Sequence, residues 1–351
     1  MGAYIFRRVL SGILLLFAVT LGTFAVFRLV PSTPACLVLA CGPGSQTTQA
    51  QLDAAEHRLG ADQPVPEQFG RFVWRIFRHG SFGPGWGSGS IDRAVRAAVP
   101  KTLSILVGGV FFLLLLAIPL GALSAVRAQT VVDRAVFVGA LFGIALHPFV
   151  VGYLLKLFFV DHLHLTPPDG YCHLMPAHGF LPLEQSIFVN GHPLRQRICG
   201  GPIGWAHHLI LPWLTFALFF LPLYVRMIRA QVLDRLDDQH VATARAKGAS
   251  ELRVLRSHVL RPALMPLATM IGMDLGAALT AVIYLETIFS FKGIGALMLG
   301  NAGAGQATYD LPMIAAIFFL VAASVVLLNL LVDLLYAWLD PSIRGLHAKP
   351  A

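Results

Sequence analysis

Cysteine and histidine side chains, which can form disulfides or bind metal ions, are concentrated in two long segments between apolar runs. The four cysteines lie in segments 31–100 and 160–206: Cys36, Cys41, Cys172 and Cys199. The second segment and its edge also hold a histidine-rich group: His162, His164, His173, His178, His192, His207 and His208. Imidazoles and thiolates suit Zn²⁺, Ni²⁺ or Cu²⁺, but this spacing matches no closed tetrahedral pattern. It favours a solvated, polar docking loop over a metal site.

One carboxylate, Asp274, lies near the middle of an apolar run. A charge near the centre of a bilayer costs about 2.5–3.5 kcal/mol and usually faces a bundle interior or water. Two interpretations stay equally open: Asp274 contacts a substrate ammonium or a Lys/Arg of a partner chain, or it forms a structural pair. Other charges lie nearer to the ends of apolar runs, where side chains can extend to the membrane surface, and are not predicted to bind substrate: Glu286, Lys156, Asp333 and Arg226.

Motifs for nucleotide or peptide chemistry are absent from the sequence. None of the five lysines follows a glycine, so the chain has no Gly-x-x-x-x-Gly-Lys-[Ser/Thr] phosphate-binding loop. It also lacks a His-Glu-x-x-His zinc motif. We therefore predict no catalytic residue and no cofactor on this chain, and any ATP chemistry must occur on another polypeptide.

The composition shows what surrounds these residues. Of the 351 residues, 56% are hydrophobic and 13% are charged, against about 25% charged in an average soluble domain. The mean hydropathy is +0.70. These values exclude a disordered chain and an ordinary soluble globule. The net charge of +8 reflects Lys and Arg at a membrane surface better than nucleic-acid binding, which we do not predict.

Apolar runs predict an all-α, polytopic membrane protein with six spans, since about 20 apolar residues cross a bilayer. The predicted spans are Val9–Val30, Thr102–Val126, Ala135–Phe159, Leu209–Ala230, Ala263–Thr287 and Pro312–Leu339. Lys and Arg in the short segments beside the spans place both termini in the cytoplasm. The first apolar run is too long for a typical cleaved signal and is predicted to remain as an anchor, residues 1–30.

Segment 31–100 is then extracytoplasmic. Within it Phe69, Phe72, Val73, Ile76 and Phe77 follow helical spacing, with arginines between them, which predicts an amphipathic helix at the membrane interface. The four cysteines all lie on this predicted outer side, in an oxidising environment, so at least one disulfide is expected. All three pairings remain open, although Cys36–Cys41 with Cys172–Cys199 needs no contact between loops.

The segment Arg226–Arg261 differs from the rest of the chain because 12 of its 36 residues are charged. Asp237 or Asp238 can begin a short helix, Gly248 suits the left-handed residue that ends one, and Ser250 can begin a second. Two short helices under the membrane would present a compact surface to a partner. The alternative is a solvated basic loop that only sets topology.

This segment resembles the signature loop of the dipeptide/oligopeptide/nickel permease family of binding-protein-dependent ABC importers. The resemblance rests on Ala-Arg-Ala-Lys-Gly at 244–248 and Arg-Pro-Ala-Leu-Met-Pro at 261–266. Four further stretches follow the family in order: 28–34, 59–64, 286–295 and 329–344. The chain departs from the family pattern at Ala242, where Glu is usual, and at Lys292, where Pro is usual.

The resemblance implies a type I ABC importer permease fold, in which residues 101–351 form the core, with a cytoplasmic coupling loop at 231–262. It also implies that ten residues seat in an ATPase cleft: Ala242, Thr243, Ala244, Arg245, Ala246, Lys247, Gly248, Ala249, Ser250 and Glu251. The implied partners are a second homologous permease, two ATPases that carry ATP and Mg, and an extracytoplasmic binding protein or lipoprotein, in the inner membrane of a prokaryote.

The expected function is import of di- or oligopeptides. The same fold could instead carry nickel or a metal chelate, which the histidine-rich segment favours slightly. A channel or membrane enzyme that acts alone is the third interpretation.

Overall fold

In the computed structural model, the residues described are 2–29, 35, 39, 48–60, 62–86, 89–145, 147–167, 170–172, 174, 184–189, 192–197, 201–303 and 310–339. The helices that precede the hairpin are α1 (Gly2–Leu29), α2 (Gln49–Leu59), α3 (Val65–His79), α4 (Ile91–Val126), α5 (Val131–Ala145) and α6 (Pro148–Lys156), which continues as a π-helical turn over Leu157–His162. The hairpin consists of β1 (Glu184–Val189) and β2 (His192–Arg197). After it come α7 (Gly201–Leu236), α8 (Gln239–Ala246), α9 (Glu251–Arg253), a π-helical stretch (Val254–Leu260), α10 (Arg261–Ala263), α11 (Met265–Ile288), α12 (Ile294–Gly303) and α13 (Leu311–Leu339).

The chain forms two compact units, of which the first combines residues 1–100 with 293–351. Here α1 packs along α13, and the approach is close: a Cβ on Gly12 would lie 2.6 Å from Cγ1 of Val326. Phe69 and Phe72 of α3 pack with Phe24 into a buried apolar cluster. The residues predicted to form an amphipathic helix lie in α3, which buries Phe69 and Phe72 and leaves Phe77 77% exposed, and the position of this helix at the membrane interface stays a prediction.

The second unit comprises residues 101–292 and is built around α7. α7 packs on α5, α6 and α11, and its side chains Phe216 and Ile228 are fully buried. Glycines on α4 make room for them: a Cβ on Gly109 would lie 2.6 Å from the Phe216 ring, and one on Gly121 would lie 2.8 Å from Ile228. Small residues allow membrane helices to pack this closely.

By length and composition, four helices of the described residues can cross a membrane: Phe6–Val26, Ile91–Val126, Gly201–Leu236 and Leu311–Leu330. A fifth is added if Glu251–Asp274 and Gly276–Ile288, bent by 61°, count as one span. The fold is thus an all-helical polytopic membrane protein, with four or five candidate spans among the described residues against the six that the sequence predicts.

The difference lies in the predicted third span, Ala135–Phe159. α5 ends at Ala145, and α6 begins at Pro148 with His147 in an extended conformation as its N-cap. Proline lacks an N–H and disfavours the helical conformation of the residue before it. The His147 ring accepts a hydrogen bond from the Phe149 amide (3.2 Å), which satisfies one amide at the start of the new helix.

The segment 160–206, for which the sequence analysis predicts a polar loop, contains a β-hairpin. β1 pairs antiparallel with β2, in a register that places Glu184 opposite Arg197 and Val189 opposite His192. In the sequence, Asn190-Gly191 lies between the two strands. This pair is the strongest short-range signal for a tight hairpin, so the hairpin was predictable.

Candidate functional site

The charged segment after α7 folds into two short helical pieces, as the sequence predicts. Asp238 is extended (φ −66°, ψ 141°) at the N-cap position of α8, and its carbonyl accepts from the amides of Val241 and Ala242 (3.0 and 3.2 Å). Its carboxylate does not cap the helix but accepts from Arg235 Nη1 at 3.3 Å. The start of α8 is therefore fixed by the backbone, with Asp238 rather than Asp237 as the cap residue.

The turn between α8 and α9 also follows the prediction. Gly248 is left-handed (φ 79°), and its amide donates to the Arg245 carbonyl at 2.9 Å. Ser250 is the extended N-cap residue of α9, and its carbonyl accepts from the Val254 amide at 2.9 Å. A left-handed residue favours glycine, because a Cβ there is strained.

An apolar interior joins the two pieces into one body, which we call the helical knob (residues 238–260). Val241, Val254 and Val259 are fully buried, and Ala244 is 9% exposed. His240 Nε2 lies 3.1 Å from the carbonyl oxygen of His258, which also ties α8 to the π-helical stretch. The knob therefore has a fixed shape that does not depend on a partner.

The outer surface of the knob consists of small and charged side chains. Eight of the ten residues predicted to dock are exposed: Ala242, Thr243, Arg245, Ala246, Lys247, Gly248, Ser250 and Glu251. Arg245 forms a bidentate pair with Glu251, with Nε–Oε1 at 3.0 Å and Nη2–Oε2 at 3.2 Å. Ala249 is half-buried, and Ala244 points inward, so Ala244 supports the knob from within.

Asp274 of α11 meets α7. The Tyr224 hydroxyl donates to its Oδ2 at 3.1 Å, and Tyr224 is 2% exposed while Asp274 is half-buried. A hydroxyl satisfies one oxygen but brings no positive charge. Among the described residues no Lys or Arg forms an ion pair with Asp274. Asp274 thus fits both a structural contact with Tyr224 and a contact with a substrate ammonium or with a cation of a partner chain.

Glu286 behaves differently from its prediction. It was expected to extend to the membrane surface, but it is fully buried, and the Thr102 hydroxyl donates to Oε1 at 2.5 Å. The reason is that the end of α11 packs in the protein interior, where a hydroxyl of α4 reaches the carboxylate. Lys156 is half-buried and donates to the Ile288 carbonyl (3.1 Å), Arg226 is exposed, and the Asp333 side chain lies outside the described residues.

An ion pair that the sequence does not indicate joins α5 and α7, and its carboxylate is buried. Arg229 contacts both oxygens of Asp133 at 2.7 Å, the Ser124 hydroxyl donates to Oδ1 at 2.5 Å, and the Gln129 amide donates to Oδ2 at 2.8 Å. Asp133 precedes the predicted third span. The hydrogen bonds from Arg229 and then Ser124 hold the pKa of Asp133 well below its usual range. No local pattern marks a pair whose members are 96 residues apart.

The predicted disulfide and metal residues are mostly outside the described part of the chain. Cys172 is disulfide-bonded and 1% exposed, but Cys36, Cys41 and Cys199 are not described, so the pairing stays a prediction. The described residues contain no group of three or more His, Cys, Asp or Glu arranged to hold a metal ion. His173 and His178 lie outside the described residues, while His164 Nδ1 lies 2.7 Å from the carbonyl oxygen of Val160.

Comparisons with known proteins match the chain over most of its length. The family model described as "Binding-protein-dependent transport system inner membrane component" matches residues 117–345, and the corresponding N-terminal model matches residues 1–88. The chain is similar to the "Probable D,D-dipeptide transport system permease protein DdpB" of Escherichia coli (strain K12), with 33% identity over 92% of each chain. It is also similar to the "Dipeptide transport system permease protein DppB" of the same organism, with 31% identity over 99% of each chain.

A solved structure supports the fold. The MetNI methionine ABC transporter, in an inward-facing conformation, matches 71% of this chain and 97% of its own chain, with a TM-score of 0.52. The sequence identity is 15%, so this likeness concerns the fold alone.

Proposed function

Because the chain belongs to the family of binding-protein-dependent transport system inner membrane components, we propose that it is the permease subunit through which di- or oligopeptides are imported. The chain is a multi-pass, non-catalytic permease of the inner membrane, and its family works with an ATPase and a binding protein. The peptide cargo is supported by relatives whose names specify D,D-dipeptide, dipeptide and di/tripeptide transport.

The helical knob is the surface through which ATP hydrolysis would act on the spans. A docking element must keep its shape when its partner moves it. The buried valines of the knob support this, because they form an apolar interior within the chain itself. Its exposed face, within Ala242–Glu251, combines small side chains, which allow close approach, with Lys247 and the exposed Arg245–Glu251 pair, which can form new ion pairs with an ATPase. The knob follows α7 and leads through α10 into α11. A rigid-body movement of the knob would therefore move both of these helices.

A second, homologous permease completes the translocation path in this proposal. Several large apolar side chains of α1 and α4 are exposed, among them Phe6, Leu14, Val107 and Phe111 at 60–70%. Lipid or a second permease can cover such faces. Arg7 and Arg8 before the first span support cytoplasmic termini.

Reconstitution of the complete transporter tests the function. The chain, its second permease, the ATPases and the binding protein are placed in nanodiscs, and ATPase activity is measured with dipeptides, longer peptides and Ni²⁺. We expect peptides to stimulate hydrolysis severalfold. Stimulation by Ni²⁺ with no response to any peptide would assign the chain to metal transport and overturn the peptide proposal.

Docking is tested by charge reversal on the knob. Lys247→Glu changes an exposed residue between the two helices, and Arg127→Glu is the matched control, since Arg127 is also exposed and lies outside the knob. We expect the Lys247 variant to lose co-purification with the ATPases and the control to retain it. Normal ATPase association of Lys247→Glu and of a 242–250 deletion would exclude the coupling assignment.

A further inference from the structure

A cavity in the first unit is lined by three arginines. It lies beside α2 and α3, has a volume of about 160 Å³ and is bordered by Arg58, Arg71 and Arg75 together with aromatic side chains, including Phe24, Phe72 and Trp86. No acidic side chain is among its described lining residues. The cavity therefore combines three positive charges with an apolar floor.

Two left-handed glycines allow the arginines to reach this position. Arg71 Nη2 donates to the Gly60 carbonyl at 3.3 Å, and Gly60 has φ 65°. Arg75 Nη1 donates to the Phe82 carbonyl at 3.4 Å, beside Gly83 with φ 83°. A Cβ on Gly60 would lie 2.9 Å from Arg71, and one on Gly83 would lie 2.0 Å from Arg75. Any larger residue would displace the guanidinium groups.

The arginines retain most of their donors. A guanidinium has five N–H groups, and each of these two long contacts uses one. In the part of the chain that the structure describes, no carboxylate lies within ion-pair distance of Arg58, Arg71 or Arg75. Asp92, near the same loop, already accepts from the Ser81 hydroxyl and the Phe82 amide. Three adjacent cations without an anion repel one another, and a bound anion relieves this repulsion.

The geometry of the donors suits phosphate. Arginine binds phosphate oxygens through paired N–H groups, and its weakly hydrated, planar group suits a partly apolar site. Phosphate occurs both in lipid headgroups and free in solution. The outer face of α3 favours the lipid, because Trp74 and Phe77 of the same helix are 65% and 77% exposed. Exposed aromatic side chains of an amphipathic helix sit at the headgroup level of a bilayer.

We propose that the cavity bordered by Arg58, Arg71 and Arg75 binds the phosphate of an anionic phospholipid headgroup. Trp74 and Phe77 hold α3 in the lipid interface, and Arg71 and Arg75 receive the phosphate. This site fastens the region 49–86 to the membrane.

Native mass spectrometry of the assembled transporter tests the proposal. The complex is exchanged into phosphatidylglycerol or phosphatidylcholine, and lipid retained on the permease is measured for the wild type, for Arg71→Gln/Arg75→Gln and for Arg78→Gln. Arg78 lies on the same helix and is exposed but does not line the cavity. We expect about tenfold less retained phosphatidylglycerol for the double variant and no change for Arg78→Gln. Equal retention by all three proteins would overturn the proposal.

Two further measurements separate the alternatives. Inorganic phosphate or glycerol phosphate at 10 mM is also offered to the wild type in place of lipid, and binding of that anion with no retention of phosphatidylglycerol would assign the cavity to a soluble anion and overturn the lipid site. If the double Gln variant does not assemble, Arg71→Lys/Arg75→Lys preserves the charge without the paired donors. We expect it to retain less phosphatidylglycerol than the wild type, and unchanged retention would overturn the assigned geometry.

Discussion

Two bidentate Arg–carboxylate pairs are found among the residues that the structure describes, one on the helical knob and one between α5 and α7. In the knob, the Arg245 and Glu251 side chains are 42% and 74% exposed, whereas Arg229 and Asp133 are 29% and 8% exposed. The contacts are similar, but water screens the first pair more strongly than the second. An exposed pair contributes about 0.2–1 kcal/mol, while removal of one partner from a buried pair costs about 3–5 kcal/mol. The knob pair is thus free to change partners, and the α5–α7 pair is not.

The largest effect is expected for Asp133→Asn. The substitution leaves the Arg229 guanidinium in the α5–α7 contact with weakened neutralisation, so the free energy of unfolding should fall by about 3 kcal/mol. Unfolding of the purified chain in detergent measures this. Asp234→Asn is the control and should change stability little, because Asp234 is an exposed carboxylate on α7, the helix that carries Arg229. A loss below 1 kcal/mol for Asp133→Asn would contradict the contrast between the two pairs.

A smaller loss is expected where the buried carboxylate of Glu286 loses one donor. Thr102→Val preserves the shape of the side chain and removes the hydroxyl, which should cost about 1–3 kcal/mol of unfolding free energy. The matched control is Thr280→Val on α11, because the Thr280 hydroxyl is exposed and bonds only within its own helix (3.0 Å to the Gly276 carbonyl). Equal losses for the two variants would show that Glu286 does not need Thr102.

Acid should weaken the α5–α7 pair. The pKa of Asp133 is lowered in the folded state, so its contribution to stability is present above the unfolded pKa, about 3.9, and is lost as the pH falls through the lower folded value. As the pH falls below about 5, the free energy of unfolding should therefore decrease more steeply for the wild type than for Asp133→Asn. Parallel stability curves for the two proteins would be inconsistent with the Arg229 pairing.

The smallest effect belongs to the knob pair. A double-mutant cycle of Arg245→Ala and Glu251→Ala should give a coupling energy of about 0.2–1 kcal/mol for folding, and salt should reduce it. Unfolding at low and at 0.5 M salt provides the measurement. A coupling energy comparable with that of Asp133 and Arg229 would remove the distinction between the two regions.

Sequence reasoning succeeded where structure depends on neighbouring residues. The start of α8 at Asp238, the left-handed Gly248 and the new cap at Ser250 were predictable because each involves backbone groups within a few residues. The first, second, fourth and sixth predicted spans also agree with helices long enough to cross a membrane. The family was recognised from short motifs spread along the chain.

The features that the sequence analysis did not predict have signals that were averaged out, or depend on residues far apart in the chain. The break before Pro148 had a local signal in the proline, but a hydropathy window averages over it. The hairpin also had a signal in Asn190-Gly191, which the overall polarity of the segment obscured. Asp133–Arg229 and Thr102–Glu286 join residues 96 and 184 positions apart, so only the packing of helices brings them together.

The glycines of α4 have a mechanical consequence. A Cβ on Gly108 would lie 2.0 Å from the Trp213 indole, and the corresponding positions of Gly109 and Gly121 are filled by Phe216 and Ile228 of α7. Side chains of α7 thus fill the space beside α4 at three levels, where any Cβ would collide with them. Replacement of one of these glycines by a larger residue would therefore push the two helices apart.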